Sequence, residues 1–224
     1  MAVITVSRQQ GSGGMDIALR VSELLGYRCF DKRLMAEVMA REGFTDQTFI
    51  DYREDEYRLR GFVDRLLGYR RPKTIADVGF WDANPEAMKE TAVAVLDEHQ
   101  AVWLVRRAIE VAHQRGDVVI VGRGGQAILR DKPDVLHVRI EAPLELRTQR
   151  IAERNNLSVR EAQQYAVGRD KASAEYLERF YGVNWSDPLL YHLVINTGKW
   201  SPEAAAQCIV AALKCMEQVE VAPA

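Results

Sequence analysis

The stretch ITVSRQQGSGGMDIALRVSELLG (Ile4–Gly26) decides how the chain is read. A short β-branched run, Val3–Val6, leads into a polar, glycine-rich loop. Beyond it, Ile17, Ala18, Val21, Leu24 and Leu25 recur on one face at helical spacing until Gly26 stops the helix. Strand, glycine loop and helix together make the layout that cradles a phosphate. Glycines let the backbone approach an anion and turn its N–H groups inward, and the helix start adds its positive dipole end. Yet where such loops carry lysine this chain has Gly14, and where they carry Ser or Thr it has Met15.

Three readings of the loop follow from the residues. It can be a tight strand-to-helix turn and nothing more. It can be a dinucleotide fingerprint: Gly11-Ser12-Gly13 supplies two glycines of GxGxxG, and Asp31 ends the second strand where a ribose-binding acid would stand. Against that, Asp16 occupies the third glycine position and Ser7–Gln10 delay the turn. It can be the mononucleotide loop GxxxxGK[ST]. Aligned on the second glycine this reads Arg8-x-x-x-x-Gly13-Gly14-Met15, which departs at three of the four defining positions. On the formal motif alone that match is rejected.

The rest of the chain alternates strands with helices. Tyr27–Phe30, Asp117–Val121, Val135–Ile140 and Leu193–Ile195 read as strands. Leu34–Arg41, Leu96–Arg115 and Ala142–Glu153 read as helices; Ser158 with Glu161 is a capping box opening another, and Ser201-Pro202-Glu203 starts the last. Five strands in that alternation predict a parallel sheet covered by helices on both faces. Residues from about 44 to 98 are charge-dense, amphipathic and tyrosine-rich, without strands of their own, and read as a helical insertion into a single domain.

Composition narrows the function classes. With 47% apolar and 28% charged residues over 224 positions, the chain is ordinary for a globular protein with a sizeable core. A net charge of −2 gives no global case for nucleic-acid or membrane binding, so anion binding must come from local clusters. No signal peptide and no membrane-length apolar run is visible. The cysteines Cys29, Cys208 and Cys215 form no pairing framework, and Cys208 and Cys215 are expected to share a buried helix face; this usage points to a reducing cytoplasm. The four histidines are scattered, without metal-ligand spacing.

Five segments together carry a resemblance: "ITVSRQQGSGG", "FDKRL" (Phe30–Leu34), "VIVGRGGQAIL" (Val119–Leu129), "VRIEAPLELRTQRI" (Val138–Ile151) and "RFYGVNWSDPLLYHLVINT" (Arg179–Thr197). In order, and over nearly the whole chain, they resemble the cytidylate kinase-like family, a branch of the P-loop nucleoside monophosphate kinases. The resemblance implies a three-layer α/β/α P-loop fold with a five-stranded parallel sheet, the insertion, and a lid at about residues 154–182. It implies ATP with Mg²⁺ as donor, a CMP- or dCMP-like acceptor, a cytoplasmic setting and small-molecule partners.

Residue by residue, the resemblance puts the donor phosphates on Gln10, Gly11, Ser12, Gly13, Gly14 and Met15, with the loop cation Arg8 standing in for the lysine. Arg123 follows the third strand, as in the family's GRD segment. It meets the acceptor together with Asp31, Arg33 and Gln126, and Asp31 is also the candidate metal ligand. Arg147, Arg150 and Arg154 share a helix face running into the lid, and Arg150, Arg169 and Lys171 are the lid-side catalytic cations. Asn196 and Thr197 lie where the adenine ring is seated. The departures are Gly14, Met15, Gly124 in place of the GRD aspartate, and Ala172, Ser173 and Ala174 where the family's lid is richer in arginine. They keep a second reading in play: a nucleotide- or anion-binding protein without catalysis, with Asp51–Arg71 as a dimer or partner surface. A nicotinamide enzyme is a third.

Overall fold

The computed structural model describes residues 2–30 and 98–218. The expected helix Leu34–Arg41, the insertion at about 44–98, and the site candidates Asp31 and Arg33 lie outside the described residues. In chain order the elements are β1 (Val3–Arg8), α1 (Gly14–Leu25), β2 (Arg28–Phe30), α2 (Glu98–Arg115), β3 (Val118–Val121) and α3 (Gly125–Ile128). There follow β4 (Val135–Glu141), α4 (Leu144–Asn155), α5 (Val159–Tyr181), a 3₁₀ turn at Pro188–Leu190, β5 (Leu193–Asn196) and α6 (Pro202–Gln218).

The strands form one parallel sheet in the order β2-β3-β1-β4-β5. β3 is apolar throughout and β1 is buried at all but its last residue, because both faces of the sheet are covered. On one face Val6, Leu136, Val138 and Ile140 pack with Ile17 and Val21 of α1 and Ile209 and Leu213 of α6. On the other, Val3, Val118 and Ile120 pack with Leu104, Val105 and Ile109 of α2. Ile17 and Val21 are fully buried, each contributing roughly 1.5–3 kcal/mol; Ile17→Asp would break that seam. The layers are α/β/α, and the topology is that of a P-loop fold.

Three details differ from the sequence expectation. β1 continues two residues past Val6, because Ser7 and Arg8 pair with Arg139 and Ile140 of β4. Arg8 therefore belongs to the strand end, not to the loop. Cys208 is half-buried and Cys215 exposed, because the buried stripe of α6 runs through Ala205, Ile209 and Leu213 and leaves the cysteines at its margin. The segment expected to form a lid, at about residues 154–182, consists of the end of α4, a turn and all of α5. α5 opens with the expected capping box, Ser158 and Glu161 satisfying each other's backbone N–H groups, and ends at the left-handed Gly182. Its first half packs Ala162 and Ala166 on Ile151 of α4, and its second half buries Tyr176 and Leu177 beside Val183 and Trp185.

Candidate functional site

The loop joining β1 to α1 meets the carboxyl edge of the sheet beside its central strand, where open α/β sheets bind ligands. Gly11 and Gly13 have φ of 83° and 81°, in the left-handed region. Gly11 also has no room for a side chain, since a Cβ would lie 2.8 Å from the Arg147 carbonyl and from Ile151 Cδ1. Gly13 caps α1 without a side-chain hydrogen bond, so the N–H groups of the first turn have no partner within the helix. The Ser12 hydroxyl is buried and has no hydrogen-bond partner among the described residues. Dipole, N–H groups and hydroxyl together make an anion cradle.

A lysine at position 14 is excluded by the strand end. A Cβ on Gly14 would lie 2.5 Å from Arg8 Cβ and 3.0 Å from its Cγ, so the Arg8 stem already crosses the space a lysine stem would need. Any side chain at 14 would press on the strand end in this way, so glycine is required there by the packing of residue 8.

The arginine row on α4 holds the loop. Arg147, buried, donates from Nη1 to the Gln10 carbonyl (3.0 Å) and to Asp170 Oδ2 (2.7 Å), and from Nε to the Ala142 carbonyl. Asp170 of α5 in turn accepts the Gln10 N–H at 2.8 Å. One turn on, Arg150 donates to the carbonyl and hydroxyl of Thr197 at 3.1 and 3.0 Å, and weakly to the Ser12 carbonyl. The Thr197 hydroxyl also donates to Ser12, at 2.7 Å. Arg154 reaches Asp16 at 3.7 Å. The row follows the loop from Gln10 to Asp16. Burial pushes the Asp170 carboxyl above its ordinary range, against the opposing pull of the Gln10 N–H and of Arg147.

The turn after β3 is built differently. Gly122, Arg123 and Gly124 are consecutive left-handed residues, with φ of 68°, 57° and 74°; for arginine that backbone is strained. The side chain is buried, its guanidinium 5.6 Å from the Phe30 ring and its Nη1 3.5 Å from the Phe30 carbonyl. An aspartate at 124 would be doubly disfavoured, by the positive φ and by a Cβ 2.9 Å from the Tyr181 ring. Gln126, 1% exposed, has neither its amide oxygen nor its amide nitrogen hydrogen-bonded among the described residues.

Of the other candidates, Arg169 stacks on Tyr165 (4.9 Å) and Lys171 is exposed. Met15 is 39% exposed; its side chain is uncharged, and a thioether is too soft to ligate Mg²⁺. Asn196 accepts the Gly198 N–H in a local turn, beside the buried Thr197. Sequence reasoning missed Asp170 as a loop partner and Arg139 as a buttress. Arg139 is buried against Trp185 (4.3 Å) and Tyr191 and donates to the Trp185 carbonyl, while Trp185 Nε1 donates to Ser7 at the loop root. The alternating pattern of β4 could have found Arg139; no pattern could have paired Asp170 with Gln10, 160 positions away.

The family model for the cytidylate kinase-like family matches residues 3–199. The chain belongs to this family. A cytidylate kinase of Pyrococcus horikoshii is 28% identical over 97% of the chain and 91% of its own length, and that of Thermococcus sibiricus is 28% identical over 94% and 87%. Among solved structures, an uncharacterized protein from Eubacterium ventriosum superposes with a TM-score of 0.62 at 18% identity, covering 96% of this chain and 99% of its own; the likeness is one of fold. Membership of the cytidylate kinase-like family supports a nucleotide kinase activity, and kinases of this kind use ATP with Mg²⁺. The cradle fits a nucleotide phosphate. For the metal, no group of three His, Cys, Asp or Glu side chains converges among the described residues, and the candidate ligand Asp31 lies outside them. No described helix is long and apolar enough to cross a membrane.

Proposed function

We propose that this member of the cytidylate kinase-like family transfers the γ-phosphoryl group of ATP to a nucleoside monophosphate, with a CMP- or dCMP-like acceptor, in the cytoplasm. A phosphate oxygen of the acceptor attacks the γ-phosphorus, the bond to the β–γ bridging oxygen breaks, and ADP leaves. Such transfer rests on positioning and charge neutralisation. The observation that supports the reading most is the pairing of two glycine turns at one sheet edge: an open cradle with the buried, unpartnered Ser12 hydroxyl, and a strained turn presenting Arg123.

In this reading Gln10 to Met15 line the donor phosphates, although the Gln10 backbone is already engaged, and Arg8 supplies the charge that lysine provides elsewhere. Arg123 and Gln126 meet the acceptor, with Asp31 and Arg33. Arg169 and Lys171 approach the phosphates when α5 closes, and Asn196 and Thr197 border the adenine. Arg150 acts by fixing Ser12 and Thr197. Mg²⁺ supplies neutralisation of the β- and γ-phosphates.

A second reading, nucleotide binding without transfer, is favoured by the engagement of Arg147 and Arg150 with loop carbonyls and Thr197, which leaves fewer cations for a transition state. A coupled ADP-release assay with ATP, Mg²⁺ and a panel of nucleoside monophosphates separates the two. Acceptor-dependent turnover that Arg123→Ala loses supports the kinase. No turnover with any acceptor, while ATP still raises the melting temperature, establishes the binding protein.

A further inference from the structure

Gln10 is the only residue of the glycine loop whose N–H and C=O are both taken by side chains among the described residues, and those side chains come from two different helices. Arg147 Nη1 sits between the Gln10 carbonyl and Asp170 Oδ2, and Asp170 Oδ1 closes the ring by accepting the Gln10 N–H. The next residue, Gly11, lies against the Arg147 carbonyl and Ile151, and Ile151 is itself packed on Ala162 and Ala166 of α5. The start of the loop therefore rests on the α4–α5 seam at every point. Asp170 stands on α5 between Arg169 and Lys171, the two cations proposed to approach the phosphates.

We propose that Asp170 and Arg147 form a clamp that keeps the loop in its anion-receiving shape only while α5 is docked on α4, which couples donor binding to the position of α5. Both are positioning residues: they act through the Gln10 backbone, and the proposal rests on the reading of the loop as a nucleotide-phosphate site. A buried ion pair adds little net stability compared with apolar residues of the same volume. Burial also disfavours the ionised Asp170. Shape of the loop, and not general stability, is what such a pair can provide.

The test combines amide hydrogen exchange of the ligand-free protein with ATP·Mg²⁺ binding, for the wild type, Asp170→Asn and Ala166→Leu. Asp170→Asn should speed exchange of the Gln10–Gly13 amides about tenfold relative to those of β3, and weaken ATP about tenfold, as expected for losing a charged hydrogen bond. The KM of the acceptor should change by less than about twofold, since only donor positioning is lost. Ala166→Leu, which overpacks the α4–α5 seam, should give the same loop-specific pattern. Unchanged loop exchange in Asp170→Asn, or faster exchange everywhere with ATP affinity retained, overturns the clamp. A loop freed by Asp170→Asn but not by Ala166→Leu overturns the coupling to α5. If Asp170→Asn fails to fold, the double variant Asp170→Leu/Arg147→Met removes the pair without leaving a buried charge and is read the same way. A wild type that binds no ATP refutes the nucleotide reading, while the exchange arms still decide the clamp.

Discussion

Two glycine turns sit side by side at the carboxyl edge of the sheet, and they are held by opposite means. The turn after β1 is supported from outside: Arg147, Asp170, Arg150 and Thr197 bind its carbonyls and one of its N–H groups. The turn after β3 is shaped by its own backbone, with three successive left-handed residues. The first can therefore be loosened by changes two helices away, whereas the second stores its geometry locally, at a cost in backbone strain. A loop that turns several N–H groups toward one spot needs an external frame; a single buried arginine at a strand end is aimed chiefly by the bend of its own backbone.

The largest effects fall on the frame of the first turn. Arg147→Met leaves the Asp170 carboxylate buried without its cation and should destabilise the protein by about 3–5 kcal/mol, lowering the melting temperature by roughly 10 °C or more. Adding Asp170→Leu to it should recover most of that loss. Thermal unfolding of the two variants decides the matter: if the double variant is no more stable than the single one, the first turn is not held by this charge pair.

The second turn should separate stability from activity. Arg123→Ala is expected to lower acceptor-dependent turnover about a hundredfold, the usual consequence of removing one charge-stabilising donor from an active site. Arg123→Gly should lose as much turnover but be about 1 kcal/mol more stable than Arg123→Ala, because both lose the contacts of the buried side chain and only glycine accepts the positive φ without penalty. A glycine variant no more stable than Arg123→Ala would mean that the turn stores no backbone strain, and the contrast between the two turns would collapse.

Most of the fold was legible in the sequence, and for definite reasons. β3 is an apolar run between clear breakers, β4 alternates apolar and polar residues, and the Ser158–Glu161 box and Gly26 mark helix ends by local chemistry, so reading them needs no knowledge of distant residues. The site was legible only in part. The glycines announce themselves, since close approach and positive φ are local demands, whereas Arg123 is picked out by its likeness to the family's GRD segment. Arg147 and Arg150 were visible as a row, but a row does not say whether it faces solvent, a ligand or backbone carbonyls. Asp170 had no local signal at all, because its partner is brought to it by the packing of α5 on α4. Arg8 was assigned to the loop because its charge broke the apolar pattern, whereas pairing with β4 extends the strand through it.

The glycines of the first turn sharpen the contrast on a smaller scale. Gly11 and Gly13 share nearly the same φ, but a Cβ at Gly13 meets nothing within 4 Å while one at Gly11 strikes the Arg147 carbonyl and Ile151. Gly13→Ala should cost about 1 kcal/mol from backbone strain alone. Gly11→Ala should cost at least about 1 kcal/mol more, since it also pushes the loop off α4. Equal costs in denaturant titrations would show that the loop does not rest on α4 as closely as its geometry requires.

The smallest effect is expected at the far end of the arginine row. Arg154 and Asp16 approach to 3.7 Å, but their side chains are 74% and 57% exposed, so water and salt screen the pair and its two long side chains gain little by holding one geometry. Arg154→Ala should shift the melting temperature by less than about 2 °C, in line with an exposed pair worth a fraction of a kcal/mol. That near-silence is informative, because Arg147 and Arg154 lie on the same helix face and differ chiefly in burial. If Arg154→Ala instead weakens ATP binding in proportion to Arg150→Ala, charge along the whole row acts on the nucleotide through space. The first turn would then owe its function to its electrostatic field more than to the hydrogen bonds that frame it.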